Sequence, residues 1–271
     1  MTSAKRLFKC ILALSILFMA LQPAWAALDC ERLSEEDVTQ VKNLIVKLAP
    51  LIEERDRQEN LSTLTFSELY APLNKEEKQF LKQFETLDAK KLNVKIPYQG
   101  MATGKEALVM IRGQKIKIKD ELKELSPKFL PPDVYEQYLA MMKSMETDIG
   151  KRLYVDSGYR SSAYQLYLFV FYLSNHDYSI KETVKFVALP GYSEHGAPKC
   201  QAIDFINAEG INGEENAADF ENLEENKWLL ANARQFGFIL SYPKNAPSGI
   251  TYEPWHWHYE VQAAAASAPK Q

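Results

Sequence analysis

The residues of this chain that can bind a metal lie in its C-terminal third. His195 is followed nine residues later by Asp204 in the stretch SEHGAPKCQAIDF, and His256 and His258 sit in EPWHWHY, three and five residues after Glu253. Two neutral imidazoles and one carboxylate form a three-ligand set suited to zinc, with a fourth position left for water. Zinc lowers the pKa of such a water to about 7, so hydroxide becomes available at neutral pH. A carboxylate outside the ligand set must then accept the proton, and Glu253 is the candidate. An attacked amide develops an oxyanion, which a cation such as Arg160 would stabilise. On a strand, His256 and His258 point to the same face, so either reaches the metal by this reading. His176, in the polar stretch SNHDYS, reads as a solvated loop residue.

The elements that must position these groups fall into two parts. Residues 27–99 contain no glycine and read as helical. Ser34 precedes a stripe of Val38, Val41, Ile45 and Leu48 that Pro50 should interrupt, and Asn74 with Glu77 opens a second helix through Phe80, Leu81 and Phe84. Asn93–Ile96 and Ile116–Ile118 alternate like short strands. Pro131-Pro132-Asp133 starts a helix with Val134, Tyr138, Met141, Met142 and Met145 on one side, and that methionine stripe reads as core packing. Beyond Gly150 the pattern gives a strand over Arg152–Asp156, a turn at Ser157-Gly158 and a buried helix over Ser162–Leu173. It continues with strands over Ala202–Ile206 and Phe238–Tyr242, a helix over Trp228–Phe236, and an aromatic-rich strand over Tyr252–Val261. Trp255 and Trp257 read either as substrate platforms or as core. Strands not regularly alternated with helices predict an α+β fold: a small antiparallel sheet with flanking helices, preceded by a mainly helical N-terminal region.

The stretches SGYRS, SEH…AID and EPWHWHY occur in that order. Together they resemble the VanY-like D-alanyl-D-alanine carboxypeptidases of the LAS group of zinc peptidases. The resemblance covers roughly residues 130–261 and implies zinc ligands at His195, Asp204 and His256. It also implies a catalytic base at Glu253 and a cation binding substrate and transition state at Arg160. Ser193 and Gln165 fall on motif positions near the substrate, although Ser162-x-x-Gln165 also reads as a capping box. Two departures stand out. The His195–Asp204 interval is two residues longer than the family's, which places the extra residues in Gly196–Lys199 and Cys200 where the family has glycine. His258 replaces the usual arginine and is expected beside the ligands or on the substrate side.

The remaining sequence sets the context. With 46% apolar and 25% charged residues, wholesale disorder is excluded, and a net charge of −4 leaves no basic excess for binding nucleic acid. Residues 1–26 read as a secretory signal: Lys5, Arg6 and Lys9, an apolar run from Ile11 to Leu21, then Ala24-Trp25-Ala26. Its removal would take the charge to −7 and leave no transmembrane segment. In an oxidising compartment, periplasmic or extracellular, Cys30 and Cys200 are expected to pair. The expected organisation is a signal peptide (1–26), a helical region (27–125), a zinc peptidase domain (126–262) and a disordered tail (263–271). The function implied is cleavage of amide bonds in the stem peptides of peptidoglycan, foremost as a D-alanyl-D-alanine carboxypeptidase. An endopeptidase, an L,D-carboxypeptidase or a non-catalytic cell-wall-binding relative are the alternatives, and the helical region is a candidate surface for a protein partner.

Overall fold

The computed structural model of the chain describes residues 27–196, 200–213, 216–245 and 252–260. The expected signal segment 1–26, the tail 263–271 and residues 197–199 of the lengthened Gly196–Lys199 stretch lie outside the described residues. Ser34 caps α1 (Glu35–Arg57), its side chain accepting from the Asp37 N–H. Pro50 does not end this helix, contrary to the expectation. The carbonyl its ring deprives of a partner belongs to Val46, which is 74% exposed, so water can take the missing donor's place. Next come α2 (Phe66–Tyr70) and α3 (Lys75–Glu85), each opened by a capping box, Thr65 with Glu68 and Asn74 with Glu77.

Two small hairpin-like pairs follow: β1 (Val109–Ile111) with β4 (Lys128–Leu130), and β2 (Lys115–Ile118) with β3 (Glu121–Glu124). Asn93–Ile96 is not a strand. Then come α4 (Pro132–Ile149), β5 (Tyr154–Ser157), α5 (Ser162–Tyr172), α6 (Ile180–Thr183), β6 (Cys200–Ile206), α7 (Ala217–Asn222), α8 (Glu224–Asn232), β7 (Phe238–Leu240) and β8 (His256–Glu260). Four of these strands form one antiparallel sheet in the order β5-β6-β8-β7. The α+β class with small antiparallel sheets is thus what the chain adopts.

Period-two alternation sorts the sheet's residues. Ile203 and Phe205 of β6 and Trp257 of β8 face a core built with Val134, Tyr138, Met141, Met142 and Met145 of α4. The methionine stripe is therefore core, and both tryptophans belong there too, Trp255 with Trp257. The intervening Asp204, His256 and His258 point to the opposite face.

A second core joins the N-terminal helices to α5. Leu44 and Leu48 of α1, Leu69 of α2, and Phe80, Leu81 and Phe84 of α3 cluster with Leu166, Phe169 and Val170. The helix carrying Gln165 is thus clamped from the N-terminal side. Among the described residues no helix is long and apolar enough to cross a membrane.

Candidate metal centre and active site

Three backbone devices bring the ligand candidates together. Asp204 on β6 and His256 on β8 are direct partners in the antiparallel ladder. The register between β5 and β6 shifts between Val155 and Ser157, beside Asp204, and such bulges re-aim side chains. His195 lies on the short 3-10 turn Glu194–Gly196, held at two points by the loop after β5. The Arg160 N–H donates to its carbonyl (3.0 Å), and its own Nδ1 lies 2.8 Å from the Gly158 carbonyl. Gly158 has no room for a side chain, because a Cβ there would sit 2.4 Å from the Phe129 carbonyl oxygen.

With Nδ1 engaged as donor, His195 turns Nε2 to Asp204 Oδ2 at 3.1 Å, while Asp204 Oδ1 lies 2.8 Å from His256 Nδ1. One donor atom from each of the three falls within 4.8 Å of the others. His256 Nε2 meets Glu194 Oε2 at 3.0 Å. Glu194 thereby fixes the ring so that Nδ1 is the nitrogen turned to Asp204, as carboxylates behind metal-ligating histidines do.

Glu253 reaches the same point through a turn. The His256 N–H donates to the Glu253 carbonyl (3.1 Å) with Pro254 at the second position, where its fixed φ suits a tight turn. This leaves Glu253 Oε2 3.7 Å from His256 Nδ1. The motif Glu-Pro-Trp-His is thus a device for placing a carboxylate beside a ligand.

The electrostatics call for a cation. Burial lowers the pKa of His195 below the imidazole range, despite Asp204 beside it. Burial opposes a charge on His256 too, but Asp204 and Glu194 outweigh it and push the imidazole up to about 10. Burial likewise opposes ionisation of Asp204 and Glu194. The two histidines hold Asp204 far below the usual carboxylate range, and His256 holds Glu194 down at about 2. Two carboxylates around buried imidazoles attract positive charge, and an N,N,O donor set of this kind suits zinc. The residues present therefore fit the metal.

Arg160 lines the same cavity, half-buried rather than exposed. It donates to Gln165 Oε1 (2.9 Å) and Ser157 Oγ (3.3 Å). The N-terminal region stitches its loop in place. Ser161 donates from N–H and Oγ to the carbonyls of Ser62 and Leu64, and the Ser162 N–H donates to the Ala102 carbonyl (2.9 Å). The Ala102 N–H also donates to Ser162 Oγ (2.9 Å).

The helix cap is Ser161, accepting from the Tyr164 N–H, so the Ser162–Gln165 capping box does not form. Gln165 instead faces the cavity, accepting from Arg160 and donating to the Ala188 carbonyl (2.7 Å). Ser193 lines the cavity as well.

The expected Cys30–Cys200 pairing needs correction, and of the two places expected for His258 the structure shows the one beside the ligands rather than the substrate side. His258 is not among the residues lining the cavity; it sits behind Glu194, its Nδ1 3.7 Å from Glu194 Oε1 and 2.8 Å from Ser241 Oγ. Strand alternation did put it on the ligands' face, but two residues further from the turn. Cys30 and Cys200 are free thiols. Cys30 packs against the helical core, whereas Cys200 opens β6 with Sγ 3.4 Å from Gln99 Oε1, so different elements hold them.

Glu194 and Tyr242 join the site unannounced by the sequence, and His176, expected as a solvated loop residue, reaches it too. Glu194 lies inside the SEH stretch, and the signal for it is a charge flanked by two motif residues. Tyr242 packs against His256 with the rings tilted by 34° and centroids 4.8 Å apart, and burial followed by Glu194, Glu253 and Asp204 drives its phenol pKa far up. His176 lines the far end of the cavity.

Comparison with known proteins places the chain in a family. The profile of VanY, D-alanyl-D-alanine carboxypeptidase, matches residues 127–262. The bifunctional D-Ala-D-Ala dipeptidase and D-Ala-D-Ala carboxypeptidase VanXYC of Enterococcus gallinarum is 32% identical over 142 residues, 48% of this chain and 67% of that protein. A D-alanyl-D-alanine carboxypeptidase of Enterococcus faecalis is 41% identical over 80 residues, 29% of this chain and 26% of that protein. Among solved structures, the LD-carboxypeptidase LdcB aligns with 25% identity and a TM-score of 0.48, covering 62% of this chain and 76% of its own.

Proposed function

The chain belongs to the VanY family of D-alanyl-D-alanine carboxypeptidases and is a hydrolase, and from that premise we propose an exported zinc peptidase that removes the terminal D-alanine from peptidoglycan stem peptides. The observation that carries the reading is the convergence of His195, Asp204 and His256 within 4.8 Å, in one cavity with Glu253 and Arg160. His195 Nε2, an Asp204 oxygen and His256 Nδ1 would hold the metal. Bound there, zinc would supply Lewis acidity toward the scissile carbonyl and acidify the attacking water.

The chain's own groups do the rest. Glu253, fixed by its turn, accepts the proton of the attacking water and returns it to the leaving amine. Arg160, oriented by Gln165 and Ser157, stabilises the charge that develops on the carbonyl oxygen. Gln165 and Ser193 line the cavity where the substrate would lie. Glu194 keeps the His256 ring from rotating, and the N-terminal helices keep the Arg160 loop in register. Site of action follows from the substrate: the proposed signal segment would deliver the protein to the periplasm or beyond.

Mass spectrometry of muropeptides digested by the zinc-loaded protein tests the proposal. Pentapeptides should become tetrapeptides with release of one D-alanine. Loss of D-alanine from tetrapeptides instead would assign L,D-carboxypeptidase activity, and conversion of cross-linked dimers to monomers an endopeptidase. Unchanged muropeptides would refute the peptidase reading.

A further inference from the structure

The loop that carries Arg160 is held from outside the stretch shared with the family, which begins at residue 127. Residues 99–106, between the N-terminal helices and β1, run along two of the three motif stretches. Gln99 and Gly100 donate their N–H groups to the Gly191 carbonyl (2.7 and 3.2 Å), just ahead of Ser193 and His195. Ala102 pairs with Ser162, and a Cβ at Gly196 would stand 3.4 Å from that of Ala102. Gly104 adopts a φ of +82°, and a Cβ on it would come within 2.4 Å of the Thr63 carbonyl oxygen. Only glycine passes there.

The segment ends on Glu106, and its bonds gather at that carboxylate. Oε1 accepts from the Thr103 N–H (2.7 Å) and Oγ1 (2.9 Å), and Oε2 accepts from the N–H groups of Gly104 and Lys105 (both 3.0 Å). Oε2 also accepts from the Tyr159 hydroxyl, which in turn accepts from the Gly104 N–H (3.0 Å). Tyr159 is the residue next to Arg160, and it is 5% exposed, packed with Ala102 and Phe129. Burial, with the Glu106 carboxylate beside it, drives the phenol pKa far up, so the hydroxyl stays a donor. Burial opposes the charge on Glu106, but the hydroxyl and the backbone donors outweigh it and lower its pKa.

We propose that Glu106 is a positioning residue for the reaction: through the Tyr159 hydroxyl it fixes the backbone at Arg160 and so aims the guanidinium at the reacting carbonyl. The proposal rests on the peptidase reading. Glu106 itself does not line the cavity, so it acts only through the loop. Three consecutive residues are then anchored: Tyr159 to Glu106, the Arg160 N–H to the His195 carbonyl (3.0 Å), and Ser161 to Ser62. The bond to Glu106 is charge-assisted and therefore the strongest of these. A catalytic group displaced by about 1 Å loses much of its effect on the transition state.

The test measures kcat and KM for D-alanine release from a pentapeptide ending in D-Ala-D-Ala. It uses zinc-loaded wild type, Tyr159→Phe, Glu106→Gln and the double variant. Tyr159→Phe deletes only the hydroxyl, and an amide at position 106 leaves one acceptor oxygen for donors that now share two. Each single variant should lower kcat about tenfold or more, with KM and zinc content near wild type. The double variant should lose no more than the worse single one, as two groups acting through one hydrogen bond do. Amide hydrogen exchange at residues 160–162 gives a readout independent of turnover. It should quicken about tenfold in both single variants, the scale of one lost hydrogen bond to a charged group, while exchange in α4 stays unchanged.

Unchanged kcat in the single variants, additive losses in the double variant, or exchange that does not respond overturns the positioning role. A wild type that binds zinc but releases no D-alanine refutes the peptidase reading instead. Exchange at residues 160–162 then decides by itself whether Glu106 holds the loop.

Discussion

Asp204 and His256 are cross-strand partners on β6 and β8, and Asp204 Oδ1 lies 2.8 Å from His256 Nδ1 while Oδ2 reaches His195 Nε2 at 3.1 Å. One carboxylate thus touches both imidazoles, and the ladder register rather than any loop sets the distance. Replacing it leaves a buried imidazolium without its main counter-charge. Asp204→Ala should abolish stoichiometric zinc binding, measured as metal content after desalting. It should also destabilise the metal-free protein by about 3–5 kcal/mol in denaturant unfolding. Full metal content in that variant would exclude Asp204 as a ligand.

The same pair makes zinc uptake depend on pH. In the metal-free protein His256 carries a proton up to about pH 10, whereas burial keeps His195 neutral. Metal must displace the His256 proton, so raising the pH favours binding. Affinity should rise about tenfold per pH unit between roughly pH 7 and 9, with one proton released per zinc. Calorimetry in buffers of different ionisation enthalpy counts that proton, and a count of zero would contradict the arrangement.

Glu194 acts on the centre from behind, through His256 Nε2. Glu194→Gln keeps a hydrogen-bond acceptor and removes the charge. Zinc affinity should fall by about 10–100-fold, the usual effect of losing a partner behind a ligating histidine. Competition with a fluorescent chelator measures it, and unchanged affinity would show that packing alone orients the ring.

The loop after β5 tolerates no side chain at residue 158. Gly158→Ala would drive a Cβ into the Phe129 carbonyl oxygen, a backbone atom that cannot rotate away. The predicted cost is about 1–3 kcal/mol in unfolding experiments. Because the Gly158 carbonyl also anchors His195, zinc affinity should drop with it. A variant with wild-type stability and affinity would show that the loop yields.

Much of this centre was legible in the sequence because strand alternation and turn chemistry are local. His195, Asp204, Glu253 and His256 lie in short motif stretches that mark them as candidates, and the cross-strand pairing of Asp204 with His256 then sets their distances. The α+β class was legible for the same reason, with Ser34 and Asn74 marking helix starts where the structure has them. What was not legible depends on distant partners. Pro50 stays in a helix whose preceding turn, at Val46, is exposed to solvent, and no local rule reports that. Gln165 leaves the helix cap to Ser161 because Arg160 and Ala188 offer it better partners. His176 reads as a solvated loop residue until Phe186, ten positions on, folds back over it. The bracing of Arg160 by Ser62, Leu64 and Ala102 joins segments separated by 60 residues or more, beyond any pattern of spacing.

Glu253→Gln tests the central claim most directly, through zinc content and turnover measured on the same preparation. The side chain keeps its shape and turn but cannot accept the proton of the attacking water. Zinc should remain near one per chain while kcat for D-alanine release falls by about 10²–10⁴-fold, the range for loss of a general base. Turnover close to wild type at full zinc content would contradict the role assigned to Glu253 and, with it, this account of the site.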